Sequence, residues 1–496
     1  MLDKVITSLS PKYENLNNRL VLLWLFVISI LIRFPFFFRD YIDRDESTFI
    51  LVAQSWVDGH LPYTELWDLK PPMVYLFFAG ILYFFGKSFI AIRLVGAIGV
   101  AITAFFTYKI GKDLKSARLG LWSAVSCVYL LSLFGSLQGV MSEHLSMLLF
   151  MPALYILIRY DTIRWFFLSG LLLGVSLMMK LNLAYAVMIM GIFFLVQSIR
   201  RKQIVSGIWK LIALGSGIAL IIGFSFIPYF LEGIAKVWYN SVILAPLEYA
   251  SMNRSSFIKL LPICILTGAF FIICWKKKWL DYKNPKVLLL VLVVLGVIIS
   301  FLKSGKVNGH YLMQVYPMLL ILIGLALTHA PRIHKRFYGL VVLFALLLPV
   351  ESYREYYAIF KNKVERGTFY NGEGFTVPKF LKENQLDTEN ILFFEYHIGY
   401  WVLGATPPTK ATTHPSNICR DNLFPFYDNP RKTPMEELRF LLDIIKPGTV
   451  IIRSNKTVFD KKFVVEDHYV RDYLKRYYQF AGTVDRAEVY SRSQGH

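Results

Sequence analysis

Residues 20–38 read LVLLWLFVISILIRFPFFF, and residues 39–72 read RDYIDRDESTFILVAQSWVDGHLPYTELWDLKPP. The first stretch is an apolar run of 19 residues, long enough to cross a bilayer, which takes about 20. No small-residue cleavage site follows it, so it reads as an uncleaved anchor. The second stretch holds seven carboxylates (Asp40, Asp43, Asp45, Glu46, Asp58, Glu65, Asp68) against three basic residues (Arg39, Arg44, Lys70). Such a step from hydrocarbon to acid marks a membrane–water boundary. Further apolar runs follow at 73–85, 88–110, 119–137, 144–158, 165–179, 183–199, 209–231, 258–275, 287–302, 311–328 and 337–350. The chain of 496 residues is 55% hydrophobic and only 18% charged, where soluble domains run near 25% charged. Disorder, coiled coil, collagen and a disulfide-stapled mini-protein are excluded, and a polytopic α-helical membrane protein remains.

Charge orders the runs. The formal charge is +20, of which the residues from Glu351 onward supply +2. The rest sits between apolar runs, as topology signals do, rather than on a nucleic-acid surface. The run 73–85 is too short to cross comfortably. With it left at the outer face, the inside segments (1–19, 108–118, 159–164, 198–210, 276–286, 329–337) hold 21 Lys and Arg, and the outside loops hold 9. Letting it cross reverses that balance. The layout has about eleven spans, a cytoplasmic N-terminal segment 1–19, a transmembrane domain 20–350 whose first outer loop with juxtamembrane helices covers 39–87, and a small extracytoplasmic α/β domain 351–496. In that last domain, helices are expected at 377–384, 434–445 and 467–476, and strands at 391–394, 449–453 and 488–491. Cys127, Cys264, Cys274 and Cys419 show no metal or disulfide spacing.

The first outer loop carries the chemistry-bearing residues. Phe49, Val52, Ala53, Trp56 and Val57 recur at helical spacing and mark an amphipathic helix lying on the membrane surface, opened by Asp45 and Glu46. Asp45 reads either as a helix N-cap or as a carboxylate general base. In the pair, one acid can cap while the other reacts. Lys70 precedes Pro71 and Pro72, which fix where the ammonium points. It reads either as a snorkelling lysine or as a phosphate-binding cation. Arg33 and Arg93 lie near the outer ends of their spans, where snorkelling or an anionic headgroup explains them. Glu143, next to His144, reads as a cap or as part of an acceptor or metal site. Lys306, His310 and Tyr311, with Gln314, converge just before a late span. On the charge-derived layout these acids and cations share one face at headgroup depth, while the span interiors are nearly free of charge. That suits an enzyme acting on a lipid phosphate and argues against a transporter.

DRDE followed by a surface helix, G-H-L-P-Y-x-x-x-W-D-x-K-P-P, A-I-R-L-x-G and H-Y-x-x-Q-x-x-P, in this order over residues 20–330, resemble the glycosyltransferase family 39 group. That group comprises the dolichyl-phosphate-mannose protein mannosyltransferases and lipid A aminoarabinose transferases of GT-C fold. The resemblance implies a membrane glycosyltransferase moving a sugar from a polyprenyl-phosphate donor to an acceptor hydroxyl on lipid A or lipopolysaccharide, a cell-envelope glycan or a protein, by inverting displacement. It implies catalytic roles for Asp45 and Glu46, and donor-phosphate roles for Lys70, Lys306, His310, Tyr311 and Arg93. Glu143, Asp43 and Tyr63 become acceptor or metal candidates. Lys306 stands where many bacterial relatives carry Arg, so it would neutralise phosphate without a bidentate contact. No nucleotide cofactor is implied. A divalent metal ion at Asp45 and Glu143 is compatible with the reading but not required by it. The expected location is a bacterial inner membrane. An O-antigen polymerase or ligase, or a lipid-linked sugar flippase, are the competing readings.

Overall fold

The computed structural model describes residues 17–40, 43–252, 257–304, 308–329 and 338–493. Residues 1–16 of the expected cytoplasmic segment, and Lys306, lie outside them. Helices cover most of each expected apolar run, although the run 119–137 is α-helical only as far as Leu130. Among the described residues, five helices are long and apolar enough to cross a membrane: Asn18–Phe38, Phe89–Leu114, Leu181–Arg200, Ile204–Leu231 and Pro285–Lys303. Shorter apolar helices include Pro72–Phe85, Ala117–Leu130, Ile163–Leu177, Leu260–Lys276 and Tyr316–Leu327. The protein is therefore an integral membrane protein of largely helical build, with one small sheet near its C-terminus. The first apolar run is not one uniform helix. Its α-helix covers Asn18–Arg33 and tightens into a 3₁₀ turn at Phe34–Phe38, where Pro35 has no N–H to continue the ladder.

The chain divides into two compact units: Met1–Phe36, Arg93–Ser225 and Ala250–Glu355 in one, and Phe37–Ile92, Phe226–Tyr249 and Tyr356–His496 in the other. The first unit is built of apolar helices. Small residues bring some of them into close approach, as is usual between helices in lipid. A Cβ on Gly170 would stand 2.2 Å from the Leu214 carbonyl oxygen, and one on Gly217 would stand 2.5 Å from that of Phe167.

The second unit joins the acidic segment that follows the first apolar run to the C-terminal segment. Helix Arg44–Val57 packs on Pro72–Phe85, with the Phe49 ring 5.7 Å from Phe78 and 6.3 Å from Tyr75. Phe49, Val52 and Ala53, the apolar face read as membrane-facing, are buried inside the unit. The short helix Ile398–Leu403 also packs on Arg44–Val57. Strands β1 (Ile391–Phe393), β2 (Thr449–Arg453), β3 (Tyr478–Val484) and β4 (Ala487–Arg492) form a sheet of order β1-β2-β4-β3. Only the β1/β2 pair is parallel. Strand β3 has no counterpart in the sequence reading. It is largely exposed, and a register irregularity between Phe480 and Gly482 breaks its alternation. The start of the loop is tied to the far end of the chain. The Asn371 amide donates to the Phe38 carbonyl at 3.0 Å, and the Asp40 amide returns a bond to the Asn371 carbonyl at 3.2 Å. The buried Asp40 carboxylate accepts from the Gly374 amide at the start of helix Glu373–Glu383.

Candidate active site

Helix Arg44–Val57 is capped by Asp43, whose side chain accepts from the Asp45 amide at 2.9 Å. The cap is thus neither of the two acids in the DE pair, and Asp43 is occupied as a structural residue. Asp45 sits in the first turn, where the positive helix end favours a carboxylate. Its Oδ2 lies 2.9 Å from Lys70 Nζ. Lys70 leads into helix Pro72–Phe85, where Pro71 is the N-cap with φ −65°. The Lys70 carbonyl accepts a 2.5 Å bond from the Tyr63 hydroxyl. Tyr63 is fully buried and holds φ at 73°, so this acceptor or metal candidate serves to pin the lysine's backbone. Burial, then the neighbouring Tyr229 and Asp68, hold its hydroxyl protonated far above the usual tyrosine range.

The other Asp45 oxygen faces a residue that sequence reasoning missed. His414 Nε2 lies 3.3 Å from Asp45 Oδ1. Its Nδ1 accepts from the Ser416 amide at 3.1 Å, so in the neutral ring the proton sits on Nε2 and points at Asp45. The carboxylate is held from both sides, by an ammonium and by an imidazole N–H. Lys70 also lies 3.9 Å from the buried Asp68 and 5.1 Å from the centre of the Phe49 ring. Asp45 and Lys70 keep 22% and 13% of their side-chain surface accessible, so the pair opens to the outside while its surroundings are closed.

Those surroundings brace the helix. Arg44 makes a two-pronged contact with Glu395, at 3.1 and 2.5 Å. Thr48 Oγ1 stands 3.0 Å from His397 Nε2. His397 is fully buried, and burial, followed by repulsion from His414 and Arg44, pushes its pKa well below the usual value. Glu46 is buried as well. Trp67 is fully buried, and its indole N–H donates to Ser241 at 2.9 Å.

A second polar cluster lies within the other unit. Glu143 is fully buried, and its Oε1 is 2.5 Å from Lys180 Nζ and 3.9 Å from His310 Nε2. Lys180 lies over the Tyr311 ring, 4.4 Å from its centre, and the His310 and Tyr311 rings meet edge to face. Gln314 exchanges two hydrogen bonds with Asn182, at 2.7 and 3.0 Å. The structure therefore brings Glu143, His310 and Tyr311 together and adds Lys180, which the sequence showed only as a lone cation in a short loop. Arg93 is not part of this group. It is buried and donates to the Phe36 carbonyl at 2.9 Å. Arg33 spends its guanidinium on the carbonyls of Leu131, Leu137 and Gly139. His144 is likewise engaged with the backbone: its Nδ1 accepts from the Met141 amide and its Nε2 faces the Leu131 carbonyl. Among the described residues, no group of three or more His, Cys, Asp or Glu is arranged to hold a metal ion.

Residues 69–229 match the family model of the dolichyl-phosphate-mannose-protein mannosyltransferases. Lys70, Glu143 and Lys180 fall inside that segment, and Asp45 precedes it. The structure is similar to that of ArnT from Cupriavidus metallidurans bound to undecaprenyl phosphate, with a TM-score of 0.63, 13% identity, and coverage of 97% of this chain and 99% of that one. The fold is that of the GT-C glycosyltransferases. ArnT in the apo state shares it, with a TM-score of 0.56, 12% identity and 95% and 97% coverage. The archaeal oligosaccharyltransferase AglB from Archaeoglobus fulgidus, in complex with an inhibitory peptide and a dolichol-phosphate, also has this GT-C fold. Its TM-score is 0.51 at 12% identity, covering 98% of this chain and 75% of that one. Among curated proteins no sequence matches the chain.

Proposed function

We propose that the protein transfers a monosaccharide from a polyprenyl-phosphate donor to an acceptor hydroxyl at the non-cytosolic face of the inner membrane. The observation that carries this reading is the Asp45 carboxylate, held at 2.9 Å by Lys70 and at 3.3 Å by His414. Both partners orient the carboxylate, whose oxygens keep further lone pairs that can accept a proton. The acceptor oxygen attacks the anomeric carbon as its proton passes to Asp45, and the bond from that carbon to the phosphate oxygen breaks with its electron pair. The product has the inverted configuration, and the lipid phosphate leaves. General-base help of this kind is worth about 10²–10⁴-fold.

Lys70 has three N–H donors. It can exchange its longer Asp68 contact for a phosphate oxygen while still holding Asp45, and so meet the charge that builds on the leaving group. Within its own unit, the Lys180–His310–Tyr311 group is the proposed cationic wall for an anionic lipid headgroup. The decisive test is transfer by purified Asp45→Asn with a defined polyprenyl-phosphate sugar. The expected result is a loss of about 10²-fold or more with donor binding retained. Transfer at the wild-type rate would refute the assignment.

A further inference from the structure

A cleft of about 140 Å³ opens in the first unit, where helices Ser142–Arg159 and Ala184–Arg200 end and helices Ile163–Leu177, Ile204–Leu231 and Pro285–Ser304 begin. The charge pattern assigns this face to the cytosol, and neither polar cluster described above contributes to it. Its floor is apolar, with Phe166, Phe193 and Leu289 among the lining residues. Its rim carries four cations, Arg159, Arg201, Lys210 and Lys286, against the carboxylate of Asp161 and that of Asp113, which pairs with Arg159 at 2.7 Å from outside the lining. Lys210 is largely withdrawn from solvent, with 13% of its side chain exposed, and reaches Asp161 at 2.7 Å. Arg201 reaches the same carboxylate at 3.7 Å. Asp161 itself is 60% exposed, so water can take over its charge when those cations turn elsewhere. Directly beside the rim, Val205, Ile208, Trp209 and Ile212 expose a continuous apolar stripe at the start of helix Ile204–Leu231.

We infer that this cleft binds the headgroup phosphate of an anionic phospholipid, whose acyl chains lie along the stripe of helix Ile204–Leu231. The excess of cations over carboxylates selects an anion. The adjoining exposed hydrocarbon selects one that carries lipid chains rather than a soluble phosphate. Basic pockets between helices at the cytoplasmic side are suited to such headgroups. The inference is independent of the transfer chemistry, because it uses none of the residues assigned to it.

The test places the full chain in nanodiscs of phosphatidylcholine, with and without phosphatidylglycerol, and reads both the thermal midpoint and the phosphatidylglycerol retained by native mass spectrometry. The expected result is a higher midpoint and retained lipid for the wild type. Both are lost in the Arg201→Gln/Lys210→Gln double variant, whose binding should weaken roughly thirtyfold for two lost charges. Lys286→Gln, which makes no contact with Asp161 and so tests the cleft if the double variant fails to fold, should weaken retention in part. A Lys276→Gln/Lys277→Gln/Lys278→Gln variant, which removes more charge from a run outside the cleft, should respond as the wild type does. An unchanged response in both cleft variants would overturn the proposal. So would an equal loss in the triple-lysine variant, or an equal midpoint rise from inorganic phosphate in phosphatidylcholine alone.

Discussion

Replacing Lys70 by Met removes the cation between Asp45 and Asp68 and keeps the length of the stem. The two carboxylates then face each other without the ammonium that stood 2.9 Å from one and 3.9 Å from the other. Asp68 is buried, and the Tyr75 hydroxyl donates to it only at 3.5 Å. Breaking a fully buried ion pair costs about 3–5 kcal/mol, and a solvent-exposed one about 0–1 kcal/mol. Because Asp45 keeps 22% of its side chain exposed, the expected loss lies between, at about 2 kcal/mol. A second substitution, Asp68→Asn, removes the buried charge that Lys70 no longer balances and should return about half of that loss. The stability coupling between the two sites should therefore be about 1 kcal/mol plus whatever Asp68→Asn costs by itself. Thermal unfolding of the four members of this cycle in one detergent measures it. Sugar transfer separates the two roles of the lysine: stability returns in the double variant, and transfer does not. Additive effects on stability, or a Lys70→Met protein as stable as the wild type, would refute the account of a lysine balancing two acids.

His397 provides a pH prediction. Its pKa is depressed by burial in the folded protein, so below about pH 6.5 the unfolded chain takes up a proton that the folded one refuses. Stability should fall as pH drops through that region, by up to about 1.4 kcal/mol per pH unit. Thermal melts between about pH 7 and about pH 5, which bracket the free imidazole value, should show the fall, and it should be weaker in His397→Gln. Gly372 holds φ at +106°, and a Cβ there would stand 1.6 Å from Asp40 Oδ1. Gly372→Ala should cost about 2–4 kcal/mol in strain and displaced carboxylate, read as a lower melting midpoint. Lys180→Met should leave Glu143 buried without its 2.5 Å partner and lower the midpoint by a comparable amount, whereas Lys180→Arg should recover part of it.

The membrane build was legible because apolar length and loop charge are one-dimensional signals. So was the local structure of the acidic segment after the first run, where helical spacing over Phe49, Val52 and Ala53 and the turn-fixing pair Pro71-Pro72 report it. Partner choice was not. Asp43 and Asp45 are both acceptable caps by residue type, and only the backbone geometry selects Asp43. The apolar face of Arg44–Val57 reads equally well as lipid-facing or core-facing, and it meets Tyr75 and Phe78. His414 sits in a run of 3₁₀ turns far along the chain, with no motif around it that points to Asp45. Lys180 is a single cation whose meaning comes from Glu143, and that contact depends on how two helices pack. Residues that act through tertiary contact leave no periodic trace.

The tie between the beginning of the outer loop and the distant segment 371–374 has a consequence for biosynthesis. When Asp45 is added to the growing chain, the codon for His414 is still 369 positions away, a delay on the order of 20–70 s at ordinary translation rates. During that interval Asp40 lacks the Gly374 amide and Asp45 lacks its imidazole. A nascent chain can insert its helices one by one, but it cannot assemble the acid–lysine–histidine centre until translation is nearly over.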